Sequence, residues 1–416
     1  MNVYLQTKTQ FPPAIFKKPS LNLGLVVVIP VCNNPFLLLS LLNFKKCRLP
    51  NSDVEVIAVI WDAEDSSDEI RETNKNCFET TLQWAKENSS PRLKFHILYF
   101  NELPKRKAGI GLAKKIGMDE ACWRFEKARN PNGIITSLEV DSKCDVNFFE
   151  AVEDHFRYFP KCQAASIYSE FSLSGPDFSE NHYKAFLRYE LHLRYMTEAQ
   201  RWAGFPFSTP SFASGFSVRW KAYMKKGGIP LNKEAETIAF LQKFSGYQTL
   251  LEINSTRIIL SPGKLDELSI LTDSNKGSVK TYHPEGFYIL KQFFDLVDKI
   301  FHEPNILDSL PTSLWSFLKE IEFDNRVQEI LKTANGKQEF RVQFFEWFNV
   351  SMAQKFLEYH KARKPNIDIL KASRWMIDQY GNVFDTPDNE VECLAWFRRK
   401  QRQETQQTEK IKAGIS

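Results

Sequence analysis

The chain has no apolar run of the roughly 20 residues that a membrane-spanning helix needs. Its most apolar stretch, Leu23 to Leu42, is broken by Pro30, Cys32, Asn33, Asn34 and Pro35. Met1 to Ser20 holds no apolar signal core, so export is not expected. Cysteine is scarce: there are seven, an odd number, with no C-x-x-C spacing. That argues against a disulfide framework and a zinc site and for a reduced, cytoplasmic setting. No excess of one charge is present either. Lys+Arg total 55 against 51 Asp+Glu, and a net +4 is too small to imply a nucleic-acid partner. Glycine is thin as well, 17 against 34 Phe, which points to large helical packing surfaces rather than a loop-rich or repeat protein.

What remains is a chain of 416 residues, 43% of them hydrophobic, long for one domain and ample for two. From residue 25 short apolar runs alternate with helical patterns. Leu25–Ile29, Val54–Ile60, Leu93–Tyr99 and Gly133–Leu138 read as strands. Phe36–Phe44, Asp68–Glu87 and Ala108–Ala128 read as the helices between them. Continuous apolar strands joined through helices predict an α/β domain with a mostly parallel central sheet flanked by helices. Beyond about residue 275 the alternation stops. Gly286–His302, Pro311–Ile321, Val327–Ala334 and Phe340–Tyr359 are helical in period and rich in Phe and Trp, so a helical C-terminal region is expected. The expected division is an extension over 1–22, the α/β domain over 23–272, helices over 273–397, and a polar, frayed tail over 398–416.

Ligands of such sheets gather at the carboxyl ends of the strands. Three polar places follow from that rule: Val31–Asn34, the acidic turn from Asp62 to Asp68, and Glu139-Val140-Asp141. Carboxylates at i and i+2 beyond a buried strand can reach one hard cation, Mn²⁺ or Mg²⁺, that shares its remaining positions with phosphate oxygens. The alternative is a strand-end turn with solvated acids. Lys105-Arg106-Lys107-Ala108-Gly109-Ile110-Gly111, followed by Lys114-Lys115, is a basic turn opening a helix, suited to phosphate or else simply a solvated basic face. After Gly227-Gly228, Glu234 and Glu236 could take a proton from an acceptor hydroxyl, although acids at a helix start commonly serve the helix dipole alone. His192, within Tyr189–Tyr195, reads more simply as a structural histidine.

In this order the pieces resemble the family 2 glycosyltransferases of the GT-A fold, closest to a branch in Bacteroidetes-type bacteria. Val27-Val28-Ile29-Pro30-Val31-Cys32-Asn33-Asn34 looks like the opening strand and nucleotide-side loop. Ala108 to Ala121 is similar to a long segment of that branch, and Glu139-Val140-Asp141 falls where the family carries its Asp-x-Asp metal motif. The resemblance covers roughly residues 23 to 265.

It implies the GT-A nucleotide-diphospho-sugar transferase fold and inverting, metal-dependent transfer from a UDP- or GDP-sugar to a glycan or lipid-linked acceptor. Asp141 and Glu139 would hold the metal. Pro30, Val31, Asn33, Asp62, Gly109, Gly111, Lys114 and Glu139 would line the donor, and Glu236 or Glu234 would be the base. Three positions depart from the pattern. Thr237 stands where the family has its Asp base, Glu139 replaces the first metal Asp, and the usual arginine-bearing segment after Ser261-Pro262-Gly263 is missing. A catalytically degenerate binding or scaffold protein is therefore the rival expectation. A nucleotidyltransferase is the weakest, since Val31-Cys32-Asn33-Asn34-Pro35 has no glycine for a phosphate loop. A cytoplasmic protein is expected, with the basic and aromatic stretch Trp396–Lys400 as the place where it could touch the inner membrane face.

Overall fold

The structure is a computed structural model that describes residues 2–173, 179–205, 214–231, 236–244, 249–261, 279–303, 310–381 and 386–413, with side chains as far as 403. The chain forms two compact units. One comprises Met1–Ser172, Phe212–Ser261 and Glu404–Ser416, and the other Leu173–Ser211 and Pro262–Gln403.

The first unit begins with a short helix, α1 (Val3–Thr7). Then come β1 (Leu23–Val31), α2 (Leu37–Lys45), β2 (Asp53–Ala63), α3 (Asp68–Asn88), β3 (Leu93–Leu103), α4 (Ile110–Ala128) and β4 (Ile134–Leu138). The expected alternation is present, and β1, β2, β3 and β4 pair in parallel. From there the chain runs through β5 (Lys143–Cys144), α5 (Phe148–Tyr158) and β6 (Ala164–Phe171). After α6 (Glu180–Trp202), which belongs to the second unit, it continues as β7 (Gly215–Arg219), α7 (Trp220–Lys225), α8 (Glu236–Gln242) and β8 (Leu250–Leu260).

These strands make one eight-stranded sheet in the order β3-β2-β1-β4-β7-β6-β8-β5. It is mixed rather than wholly parallel, because β7 runs antiparallel to both β4 and β6. Since β6 lies antiparallel to β7 and parallel to β8, the carboxyl ends of β1, β2, β3, β4, β6 and β8 all face one edge. The amino end of β7, at Gly215, joins them opposite Leu138.

The position of α4 follows from one small residue. A side chain on Gly117 would meet Val28 Cγ1 at 2.4 Å and Val59 Cγ2 at 3.1 Å, so the glycine lets the helix lie directly on β1 and β2. α4 is buried on almost every face, including Lys114, Lys115, Asp119, Glu120 and Arg124. Such charges must be paired, and the residues before β1 supply several partners. Tyr4 Oη donates to Asp119 at 2.9 Å, the Ala14 amide donates to Glu120 at 2.7 Å, and Arg124 donates to the Lys17 carbonyl. The segment before β1 is thus a strap across α4.

The second unit holds α6, a two-stranded sheet of β9 (Lys280–Thr281) and β10 (Ile367–Asp368), and a run of helices. They are α9 (Pro284–Ile300), α10 (Thr312–Glu320), α11 (Phe323–Thr333), α12 (Lys337–Trp347), α13 (Val350–Lys361), α14 (Ile369–Asp378) and α15 (Glu390–Ala413), the last belonging to this unit as far as Gln403. The helical C-terminal region is therefore present. Its core is built from the phenylalanines, with Phe293 alone in ring contact with Phe294, Phe323, Phe344 and Phe348.

Arg398 is not part of a frayed end, contrary to the sequence expectation. It lies in α15 and donates to Glu190 of α6 at 2.7 Å through Nε and 2.5 Å through Nη2. Gln401 is buried between Arg194 and Glu198. Phe397 is wholly buried, and Lys400 sits 3.4 Å above the Tyr380 ring. The Trp396–Lys400 stretch is thus engaged within its own unit rather than presented to a membrane.

Candidate functional site

The carboxyl edge of the large sheet collects most of the residues that the sequence singled out. Pro30 and Val31 are the last residues of β1 and are buried, so they shape the edge rather than bind by polar atoms. Asn33 follows with a left-handed φ of 49°, and its amide donates to Asn74 Oδ1 at 2.8 Å. Asn74, on α3, in turn donates to the Trp61 carbonyl at 2.9 Å. Cys32 lies beside Asn74 and Asp62, and burial raises its thiol pKa.

Asp62 is inside β2, fully buried, and not in a turn after the strand. Its Oδ2 accepts from Tyr99 Oη at 2.6 Å and its Oδ1 from the Glu102 amide at 2.9 Å. The second bond depends on a bulge: pairing of β2 with β3 shifts between Trp61 and Ala63, and Glu102 takes a φ of 57°. Burial, followed by the Asp62 carboxylate, pushes the Tyr99 hydroxyl pKa upward. Sequence reasoning missed Tyr99, Glu102 and Asn74, which lie too far along the chain from Asp62 to form a local pattern.

Beyond β4, Glu139 is exposed and Asp141 is half-buried with a φ of 70°. Two serines fix the Asp141 backbone: its amide donates to Ser40 Oγ at 3.0 Å and its carbonyl accepts from Ser261 Oγ at 2.8 Å. Burial raises the Asp141 carboxyl pKa, and neither Ser261 nor Lys143 fully offsets that. A desolvated acid on a pinned, left-handed backbone is poised for a counter-charge. Among the described residues no three His, Cys, Asp or Glu side chains converge as a metal cage. The donor set at Glu139 and Asp141 consists of hard carboxylate oxygens. It fits a cation that takes its other ligands from phosphate.

Gly109 caps α4 and Gly111 is buried in its first turn. Lys114 does not reach out from that turn. Its ammonium is buried and donates to Glu236 Oε1 at 2.8 Å and Thr237 Oγ1 at 3.0 Å. Of the two acid–base candidates of the sequence, Glu236 is held by Lys114, and Glu234 lies outside the described residues. Lys105 pairs with Asp65 at 2.8 Å, while Arg106 and Lys107 are exposed in the loop before Gly109. His192 is on α6 in the other unit, where burial drives its pKa down to about 4.

No protein-family model matches the chain, and no curated protein matches it. Among solved structures, S. aureus TarS 1-349 in complex with UDP-GlcNAc aligns over 93% of this chain and 90% of its own, at 12% identity and a TM-score of 0.38. S. aureus TarS 1-349 aligns over 93% and 92% at 11% identity, TM-score 0.35. Mouse xyloside xylosyltransferase 1, apo form, aligns over 54% and 74% at 12% identity, TM-score 0.23.

Proposed function

We propose that the chain is a GT-A type glycosyltransferase that moves a sugar from a nucleotide-sugar to an acceptor hydroxyl at the carboxyl edge of its large sheet. One observation carries the reading. Of the five described non-glycine residues with positive φ, three, Asn33, Glu102 and Asp141, stand at that edge, at the ends of β1, β3 and β4. Backbone strain of this kind persists where surrounding structure enforces it, and it concentrates at ligand sites.

The nucleoside lies against Asn33, Asp62 and Tyr99. Asp141, with Glu139, would hold a Mn²⁺ or Mg²⁺ ion, which would supply positive charge to offset that of the departing diphosphate. Lys114 and Glu236 couple the two halves of the reaction. A diphosphate at the first turn of α4 competes with Glu236 for the Lys114 ammonium. Released from it, the Glu236 carboxylate accepts the acceptor hydroxyl proton as that oxygen bonds to the anomeric carbon. The anomeric carbon–oxygen bond breaks, and its electron pair leaves with the nucleoside diphosphate. Thr237 takes no part in proton transfer, and its hydroxyl steadies Lys114. Attack opposite the leaving group inverts the anomeric centre.

The test is release of UDP or GDP from a panel of nucleotide-sugars, with Mn²⁺, Mg²⁺ or chelator. The reading expects metal-dependent release that D141N abolishes. Tight donor binding with no release under any condition would instead leave a binding protein.

A further inference from the structure

α2 is apolar on both of its faces. Toward the protein it buries Leu37, Leu41 and Phe44 together with Ser40. Ser40 Oγ accepts from the Asp141 amide, and Asn43 exchanges two hydrogen bonds with the Cys144 backbone, at 2.7 and 3.2 Å. Further apolar residues face out. Leu39 is 50% exposed and Leu42 37%, with Phe36 at the helix start 51% exposed and Val146 alongside 50% exposed. Arg48, just beyond α2, donates its amide to the Val146 carbonyl at 2.8 Å, which places Val146 next to the helix end. An amphipathic surface helix keeps its outer face polar, so the exposed side chains leave an apolar patch without a described cover.

The charges around the patch that lack an ion pair among the described residues are lysines. Lys46 and Lys143 are exposed and have no carboxylate at ion-pair distance among the described residues, and Lys45 bonds only the neutral Asn88 side chain. The neighbouring acids are already matched, Glu150 by Arg48 and Asp145 by Arg257. Leucine and phenylalanine on a helix that also carries exposed lysines suit an anionic lipid surface, where apolar side chains enter the headgroup boundary and ammonium groups meet phosphate.

We infer that the α2 face, Phe36, Leu39, Leu42 and Val146 with Lys45, Lys46 and Lys143, docks the protein on an anionic phospholipid bilayer. Because Ser40 on the same helix pins Asp141, docking sets the sheet edge beside the membrane. That binding is independent of the proposed transfer. Only its consequence, presentation of a lipid-borne acceptor to Asp141, rests on the transferase reading.

Co-sedimentation of the full chain with phosphatidylcholine vesicles, with and without about one-third phosphatidylglycerol, tests it. Wild type is expected to sediment with the anionic vesicles. L39E/L42E should bind at least about tenfold more weakly, as expected when two leucines no longer enter the headgroup region. K45E/K46E should lose the preference for anionic vesicles. Melting temperatures show that both variants remain folded. Failure of wild type to bind, or unchanged binding by L39E/L42E, overturns the inference. So does a wild-type dimer in sedimentation velocity that L39E/L42E dissolves, since the patch would then seat a second copy. Vesicle binding without sugar transfer would leave this inference standing while the transferase reading fell.

Discussion

Lys114 Nζ lies 2.8 Å from Glu236 Oε1, and both side chains are buried. Removing one partner strands a buried charge, whereas removing both removes the desolvation cost together with the attraction. K114M and E236Q are each expected to lower stability by about 3–5 kcal/mol, and K114M/E236L by much less than their sum. Urea unfolding of the three proteins checks this. Losses that simply add would mean the pair is not coupled.

Glu55 is clamped between Arg124 and His96. Arg124 reaches its two oxygens at 2.7 Å each, and His96 Nε2 lies 3.5 Å away. Burial would raise the Glu55 pKa, but the adjacent His96 and the hydrogen-bonded Arg124 overcome it and hold the value at about 2. The ordinary glutamate value is about 4.3. A lowered folded value contributes stability above the unfolded value, and that contribution is lost as pH falls through the folded one. Wild type should therefore lose stability between about pH 4.3 and pH 2, the span between those two values. E55Q should lack this component and be weaker throughout. Urea midpoints measured from pH 2 to 7 decide it.

Tyr4 and Tyr223 both donate to Asp119 Oδ1 at 2.9 Å, and Lys115 Nζ lies 3.0 Å from Oδ2. Gly228 closes the cluster, because a side chain there would meet Tyr4 Oη at 2.2 Å. Y4F should cost about 1 kcal/mol, whereas G228V should cost several times that, since it needs both a strained φ and space that is filled. Hydrogen exchange at the 2–20 backbone should rise in Y4F. Unchanged exchange would mean that Tyr4 does not hold the strap.

For Asp141 the sign is opposite to that of Glu55. Its folded pKa is raised by burial, so wild type is favoured below the unfolded value, and that advantage fades as pH rises through the folded one. D141N should consequently be as stable as wild type, or more so, at pH 7. Added Mn²⁺ should raise the melting temperature of wild type and leave D141N unmoved. A destabilised D141N would contradict the account of a desolvated, unmatched carboxylate.

Much of the first unit was readable because its signals are local. Leu25–Ile29 and Gly133–Leu138 are continuous apolar runs, and the rule about strand ends led directly to Asn33 and Asp141. What escaped reading depends on partners far along the chain. Lys114 and Lys115 look like a solvated basic face until Glu236 and Asp119 are seen beside them. Asp119 and Glu120 meet Tyr4 and Ala14 across sequence separations of 115 and 106. Arg398 resembles a frayed end because Glu190, its counter-ion, is 208 residues away. Asp62 reads as the start of an acidic turn but lies inside β2, and its burial against Tyr99 and the β3 bulge has no signature in the residues next to it.

The central claim is that Asp141 and the edge around it bind a nucleoside diphosphate through a shared divalent cation. Calorimetric titration of UDP and GDP into wild type and D141N, with Mn²⁺ and with chelator, tests it most directly. The account predicts heat of binding for one of the two nucleotides in wild type with Mn²⁺, and its loss both with chelator and in D141N. Equal binding by wild type and D141N, or none by either protein under any condition, would contradict it.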